Sequence, residues 1–248
     1  MSSPDSPFAS LRLSPNHGER LRPVSALVLH YTGMPTAEGA LARLLDPRSD
    51  VSAHYFVDED GTIFQLVPEA RRAWHAGRSF WAGEEDMNSA SIGVEIVHPG
   101  HDDPRSFPAE QIEALARLCL DICERNAICA RHVLGHSDIA IGRKIDPGEF
   151  FPWKQLAERG VGHYVEPAPI VAGPTLELGA GGPAVAGLQQ TLADYGYKIV
   201  VDGCYGADTA EVVAAFQRHF RPRLVDGRAD VSTMATLREL SGALKVKE

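Results

Sequence analysis

Ser91-Ile92-Gly93-Val94-Glu95-Ile96-Val97 alternates in the manner of a strand. Successive side chains of an extended chain point to opposite sides, so Ile92, Val94 and Ile96 share one face and Gly93, Glu95 and Val97 the other. Downstream, Pro108–Asn126 reads as an amphipathic helix. Pro108 suits its first turn, and Ile112, Leu115, Ala116, Cys119, Ile122 and Cys123 recur at helical spacing. Upstream, Ala26–Tyr31 reads as a buried strand, and His54–Val67 as a hairpin turning at Asp60-Gly61 between two β-rich runs. Thr36–Leu45 and Pro152–Arg159 read as shorter helices. Strands mixed with flanking helices predict an α/β or α+β domain built on one central sheet.

The composition changes after this domain. Residues 164–174 hold Pro167, Pro169, Gly173 and Pro174 without helical period, which predicts a semi-rigid linker between a first domain, residues 1–163, and a second, residues 175–248. The second reads as a small three-helix unit, with helices at about Pro183–Tyr195, Asp208–Phe220 and Ser232–Leu240. Both intervening loops carry Asp-Gly, at Asp202-Gly203 and Asp226-Gly227, and the recurrence points to an internal duplication. Asp208 and Ser232 are the expected N-caps. A unit this small must pack its Leu, Val and Phe side chains efficiently.

The chain has 248 residues, enough for one large domain or two smaller ones. A formal net charge of -9 with no long Lys/Arg run argues against nucleic acid or an anionic membrane surface as the main partner. No apolar run reaches the roughly 18 residues a spanning helix needs. The first residues lack a basic segment followed by an apolar one. With Met1 taken as the true start, this predicts a cytoplasmic protein; loss of a leader would make it periplasmic. Cys119, Cys123, Cys129 and Cys204 are too sparse for a disulfide framework and are expected as free thiols.

The chemistry concentrates in Gly135–Gly148, which packs His136, Lys144 and Asp146 into sequence punctuated by Gly and Pro. His30 ends the apolar run Leu27–Tyr31. Two imidazoles and a carboxylate are a common ligand set for a hydrolytic zinc. A lone His at a strand end is also often structural, and Lys144 beside Asp146 could form an ordinary surface ion pair. In the functional reading Asp146 is a ligand and Lys144 faces a developing oxyanion. Glu95, in the middle of an apolar strand, is either solvent-exposed on the face opposite Ile92, Val94 and Ile96, or a general base. Trp74 and His75 form a compact loop suited to stacking a sugar or peptide. Tyr31 is a candidate wall of the pocket, Asn88 a partner for a peptide backbone, and Arg143 a partner for a carboxylate. For Asn88 and Arg143, turn or surface roles are the alternative. His54, His98, His101, His132, His163 and His219 are read as non-ligands.

These residues resemble the zinc-dependent N-acetylmuramoyl-L-alanine amidases of the AmpD/AmiD type, a group related to phage T7 lysozyme and peptidoglycan-recognition proteins. The resemblance lies in Val28–Thr32, Ser52–Val57, Ala73–Gly77, Asn88–Ile96, Gly135–Ala140, Arg143–Gly148 and Phe151-Pro152-Trp153. It implies a central mixed sheet flanked by helices, Zn2+ held by His30, His136 and Asp146, Glu95 as acid/base and Lys144 as transition-state stabiliser. It also implies hydrolysis of the amide between N-acetylmuramic acid and L-Ala of muropeptides. The second domain resembles the three-helix peptidoglycan-binding domain through Pro183–Gln190, Tyr195–Tyr197, Val201–Gly206, Val213–Gln217 and Val225–Gly227. With a cytoplasmic location, the expected substrate is a 1,6-anhydro-muropeptide in cell-wall recycling. The alternatives are wall turnover in the periplasm and a peptidoglycan-binding or sensing protein without turnover.

Overall fold

The computed structural model describes residues 3–245 except 102 and 104. In chain order the elements are β1 (Ser10–Leu11), β2 (His17–Glu19), β3 (Ala26–Tyr31), α1 (Ala37–Leu45), β4 (Tyr55–Val57), β5 (Ile63–Gln65), β6 (Arg71–Ala73), α2 (Met87–Ala90), β7 (Ser91–Ile96), α3 (Ala109–Arg125), β8 (Val133–Gly135), α4 (His136–Ile139), α5 (Trp153–Glu158), α6 (Pro183–Tyr195), α7 (Ala207–Phe220) and α8 (Val231–Lys245). Six strands form one mixed sheet in the order β1-β5-β4-β7-β3-β8, and β2 pairs with β6 in a small antiparallel ribbon. The strands β4, β7, β3 and β8 run parallel. The hairpin β4–β5 adds the antiparallel pairing, with Tyr55 opposite Gln65.

The centre of the sheet is covered on both faces, which is why β3 is apolar without alternation. On one face Leu27, Leu29, Ile92, Val94 and Ile96 pack with Ile112, Leu115, Cys119 and Ile122 of α3. The buried Gln111 ties that helix to the strand ends, its amide donating to the carbonyls of Val57 and Val97 at 3.2 and 2.9 Å. On the other face the core is continuous from Ala26, Val28 and Leu134 through Met87, Trp81 and Ala140 to Val185, Leu188, Leu192, Val213 and Phe216 of the tail. The tail helices therefore complete a core that begins in the sheet.

Two sequence expectations change here. Residues 164–174 carry no helix or strand, and Ala168 is pinned to α8, donating to Thr236 Oγ1 at 3.0 Å and accepting from Ser232 Oγ at 2.6 Å. Ser232 is thereby diverted from capping. Asp230 caps α8 instead, accepting from the Thr233 amide at 2.7 Å. Gly206 occupies the N-cap of α7, with Asp208 inside its first turn. None of the helices among the described residues is long and apolar enough to cross a membrane. The four cysteines are free, two of them, Cys129 and Cys204, exposed.

Candidate functional site

Strand register assembles the site. His30 near the end of β3 lies directly opposite Glu95 of β7. On the other side of β3, the strand β8 pairs through Gly135, and His136 is the next residue. The carboxyl ends of adjacent parallel strands are where open α/β sheets hold ligands. Asp146 returns to this edge along the loop after α4, its carbonyl accepting from the Ser137 amide at 2.9 Å.

The three side chains converge closely. His30 Nδ1 and His136 Nδ1 are 3.0 Å apart, and each is 3.0 Å from Asp146 Oδ2. All three residues are buried. Outer partners settle which ring nitrogens carry protons. His136 Nε2 lies 3.1 Å from the carbonyl of Ala76, an acceptor only, so its proton sits there and Nδ1 is bare. His30 Nε2 lies 3.0 Å from His75 Nδ1, and His75 Nε2 lies 3.3 Å from Ser91 Oγ, which donates to the Met87 carbonyl. Run in one direction, from His30 through His75 and Ser91 to that carbonyl, this chain also leaves His30 Nδ1 bare. Such outer hydrogen bonds are what orient metal-ligating imidazoles.

The result is a triangle of acceptors with no proton between them, which fits a cation. Donors bound tetrahedrally at about 2.0–2.1 Å sit roughly 3.3 Å apart, so the cluster needs only a slight expansion to hold zinc. Burial, reinforced by the neighbouring His136, pushes His30 down to about 4, which keeps it neutral.

Glu95 and Lys144 face the same cavity of about 450 Å³, whose walls also include Tyr31, Trp74, His75 and Arg43. Glu95 is not the exposed strand residue its phase allowed. Its Oε2 is buried and has no hydrogen-bond partner among the described residues. Burial first, and the charge of Asp146 second, push its carboxyl up to about 8, with Lys144 pulling the other way. A carboxyl that lines a cavity with an oxygen left without a partner can exchange a proton with whatever enters.

The structure thus brings His30, His136, Asp146, Glu95, Lys144, Tyr31, Trp74 and His75 to one place, and corrects two expected substrate contacts. Asn88 is buried, its side-chain oxygen accepting from the amides of His75 and Ala76 at 2.9 and 2.8 Å. Arg143 donates to the carbonyls of Ala76 and Arg78 at 2.6 and 2.8 Å. Both brace the loop that carries His75 instead of reaching into the cavity. His75 itself does more than line the wall, because it orients His30. The sequence reading missed Arg43, which faces the cavity from the last turn of α1. It also missed Asp138, whose polar side chain amid the buried Ile139 and Ala140 was the available signal.

A family model for N-acetylmuramoyl-L-alanine amidase matches residues 20–149, and one for a peptidoglycan binding domain matches residues 181–237. N-acetylmuramoyl-L-alanine amidase AmiD of Escherichia coli strain K12 is 38% identical over 229 residues, covering 86% of this chain and 80% of AmiD. The 1,6-anhydro-N-acetylmuramyl-L-alanine amidase AmpD of the same strain is 40% identical over 147 residues, 52% of this chain and 79% of AmpD. Among solved structures, E. coli AmiD in complex with the substrate anhydro-N-acetylmuramic acid-L-Ala-D-gamma-Glu-L-Lys superposes with a TM-score of 0.76 at 36% identity, covering 94% of this chain and 93% of that one. AmpDh3 from Pseudomonas aeruginosa in complex with anhydromuramic pentapeptide gives 0.71 at 32% identity, covering 98% and 99%.

Proposed function

The chain belongs to the N-acetylmuramoyl-L-alanine amidase family, and on that premise we propose that it hydrolyses the amide between 1,6-anhydro-N-acetylmuramic acid and the L-Ala of the stem peptide, with zinc held by His30, His136 and Asp146. One observation carries the reading: an acceptor-only His/His/Asp triangle and a carboxyl whose buried Oε2 has no partner among the described residues line the same cavity. Bound there, zinc would supply Lewis acidity toward water and toward a carbonyl oxygen.

The chain's own residues supply the rest. Glu95 takes a proton from the attacking water and returns it to the leaving L-Ala nitrogen, which needs one carboxyl that is a base early and an acid late. Its position opposite His30 places it beside the metal ligands, and a cation there lowers its elevated pKa toward the ionised form. The ammonium of Lys144 stabilises charge gathering on the lactyl carbonyl oxygen. His75 and the Ala76 carbonyl keep both imidazoles in the ligating tautomer. Tyr31 and Trp74 offer aromatic surface to the sugar and peptide.

The test is a competition between an anhydromuramyl peptide and its ordinary reducing-end counterpart, read by mass spectrometry on zinc-loaded protein. Release of L-Ala-headed peptide mainly from the anhydro species is the expected result and supports a recycling enzyme. Release mainly from the other species favours wall turnover, which the match to a peptidoglycan binding domain makes the second reading. No release from either by zinc-loaded protein would favour a binding protein without turnover. The cytoplasm is the compartment proposed for recycling. Support comes from four free cysteines, a usage that suits a reducing environment. Recovery of the native protein in a periplasmic fraction would count against it.

A further inference from the structure

Asp138 stands two residues beyond His136, on the single turn of α4, and its side chain is fully buried. Such a carboxylate is tolerable only if donors surround it. One donor is local: the Gly135 amide gives to Oδ2 at 2.7 Å. The other two come from the tail. Tyr197 Oη donates to Oδ1 at 2.8 Å, and His219 Nδ1 to Oδ2 at 2.7 Å. A carboxylate only accepts, so the proton of this imidazole sits on Nδ1. The His219 ring is held between Trp153 and Phe220, stacked with centroids 3.7 and 3.8 Å away.

Further contacts from α7 reach the same segment. Gly142 (φ 67°) lies so close to Glu211 that a Cβ there would stand 2.2 Å from its carboxylate oxygen. Arg218, two helical turns beyond Glu211, has Nε 3.4 Å from Glu149 Oε2. The same oxygen lies 2.7 Å from His101 Nε2, and His101 Nδ1 lies 3.2 Å from the hydroxyl of Tyr31. With Nε2 donating to Glu149, Nδ1 accepts from Tyr31, a wall of the catalytic cavity. The segment gripped at Asp138, Gly142 and Glu149 is the one that carries His136, Lys144 and Asp146.

We infer that α7 and Tyr197 are positioning elements of the catalytic centre. They fix the ligand-bearing segment 136–149 through Asp138 and orient Tyr31 through Glu149 and His101. The tail then acts on metal binding and substrate alignment, separately from any affinity of its own for glycan. This inference rests on the metal-centre reading above.

The experiment uses the full chain and its Tyr197→Phe, His219→Gln and Arg218→Gln variants, with Gln189→Met as control. Gln189 is buried in the tail, and its hydrogen bonds go to Asp202, Cys204 and Thr209. Zinc affinity is measured by chelator competition below each protein's melting temperature, alongside kcat and KM on an anhydromuramyl peptide. His219→Gln is expected to weaken zinc binding by several-fold, less than the roughly 10–100-fold that loss of a direct partner of a ligating side chain costs, and Tyr197→Phe to weaken it less still. Arg218→Gln is expected to raise KM while zinc affinity stays at the parental value. Gln189→Met should melt earlier but keep zinc affinity and kcat. Parental zinc affinity in both Tyr197→Phe and His219→Gln, or an equal loss in the control, overturns the inference. Should His219→Gln not fold, Tyr197→Phe decides alone. A parent chain that takes up no zinc overturns the metal-centre reading itself, and this one with it.

Discussion

At the scale of single residues, His30 depends on a position with no side chain. A Cβ on Gly93 would stand 2.4 Å from the ring of His75, which holds His30 in its ligating tautomer. Gly93→Ala is therefore expected to displace His75 and weaken zinc affinity about 10–100-fold; parental affinity by chelator competition would show that His75 is dispensable. Glu95 makes a prediction about pH. Its carboxyl is raised from 4.5 to about 8, so the folded metal-free protein keeps a proton over a range where the unfolded chain has lost it. Stability from this group is present below the unfolded value and falls as pH climbs toward the folded one, on the order of 1–3 kcal/mol in all. Melts of metal-free parent and Glu95→Gln at about pH 5 and about pH 9 should show the difference moving in favour of the variant at the higher pH. A difference that does not change with pH would remove the buried-proton account. With zinc loaded, the same variant should retain the metal and lose turnover by at least about 100-fold; near-parental rates would take Glu95 out of the reaction.

At the scale of elements, the duplication hinted at by two Asp-Gly loops is realised by two glutamines in equivalent roles. Gln189 Oε1 accepts from the amides of Asp202 and Gly203, and Gln217 Oε1 accepts from those of Asp226 and Gly227. Each Gln amide then donates to the Asp side chain, to a loop carbonyl and to the threonine that opens the next helix, Thr209 or Thr233. Helix, loop and following helix are thus joined by one buried side chain. Gln217→Met keeps the volume but leaves two amides unsatisfied, and is expected to cost about 2–4 kcal/mol. Urea denaturation with an unchanged slope would measure it, and a loss below about 1 kcal/mol would mean that water replaces the glutamine. The loops were legible because Asp-Gly marks a turn. The glutamines were read only as part of a motif, because their partners are backbone groups beyond the helix.

For the whole molecule, the second core matters most. Trp81 of the first domain packs edge-on against Tyr195 and Tyr197 of the tail, with centroids 6.1 and 5.0 Å away. One apolar cluster links both parts. Calorimetry of the full chain is expected to show a single cooperative transition. A chain ending at residue 163 should melt earlier and bind an apolar dye, since it exposes Trp81 and Ala140. Two separate transitions, with the first part unchanged on its own, would show that the shared core contributes nothing.

The sequence by itself determined the elements and the chemical inventory. A continuous apolar run located β3, period-2 alternation located β7 and helical spacing located α3, because local geometry sets those periods. The stretch from Gly135 to Gly148 offered His136 and Asp146, and the family resemblance joined them to His30 as a candidate ligand set. Only the tertiary structure decided what surrounds them. It turned Glu95 from a candidate for solvent into a cavity-lining carboxyl whose buried Oε2 has no partner among the described residues, because exposure depends on what covers a strand. It drew Asn88 and Arg143 into the bracing of one loop, and set His219, read as a non-ligand, against the buried Asp138 two residues beyond His136. Hydrogen bonds between residues 59 and 81 positions apart follow from how the tail docks on the sheet, and nothing in the local sequence around Tyr197 or His219 encodes that docking.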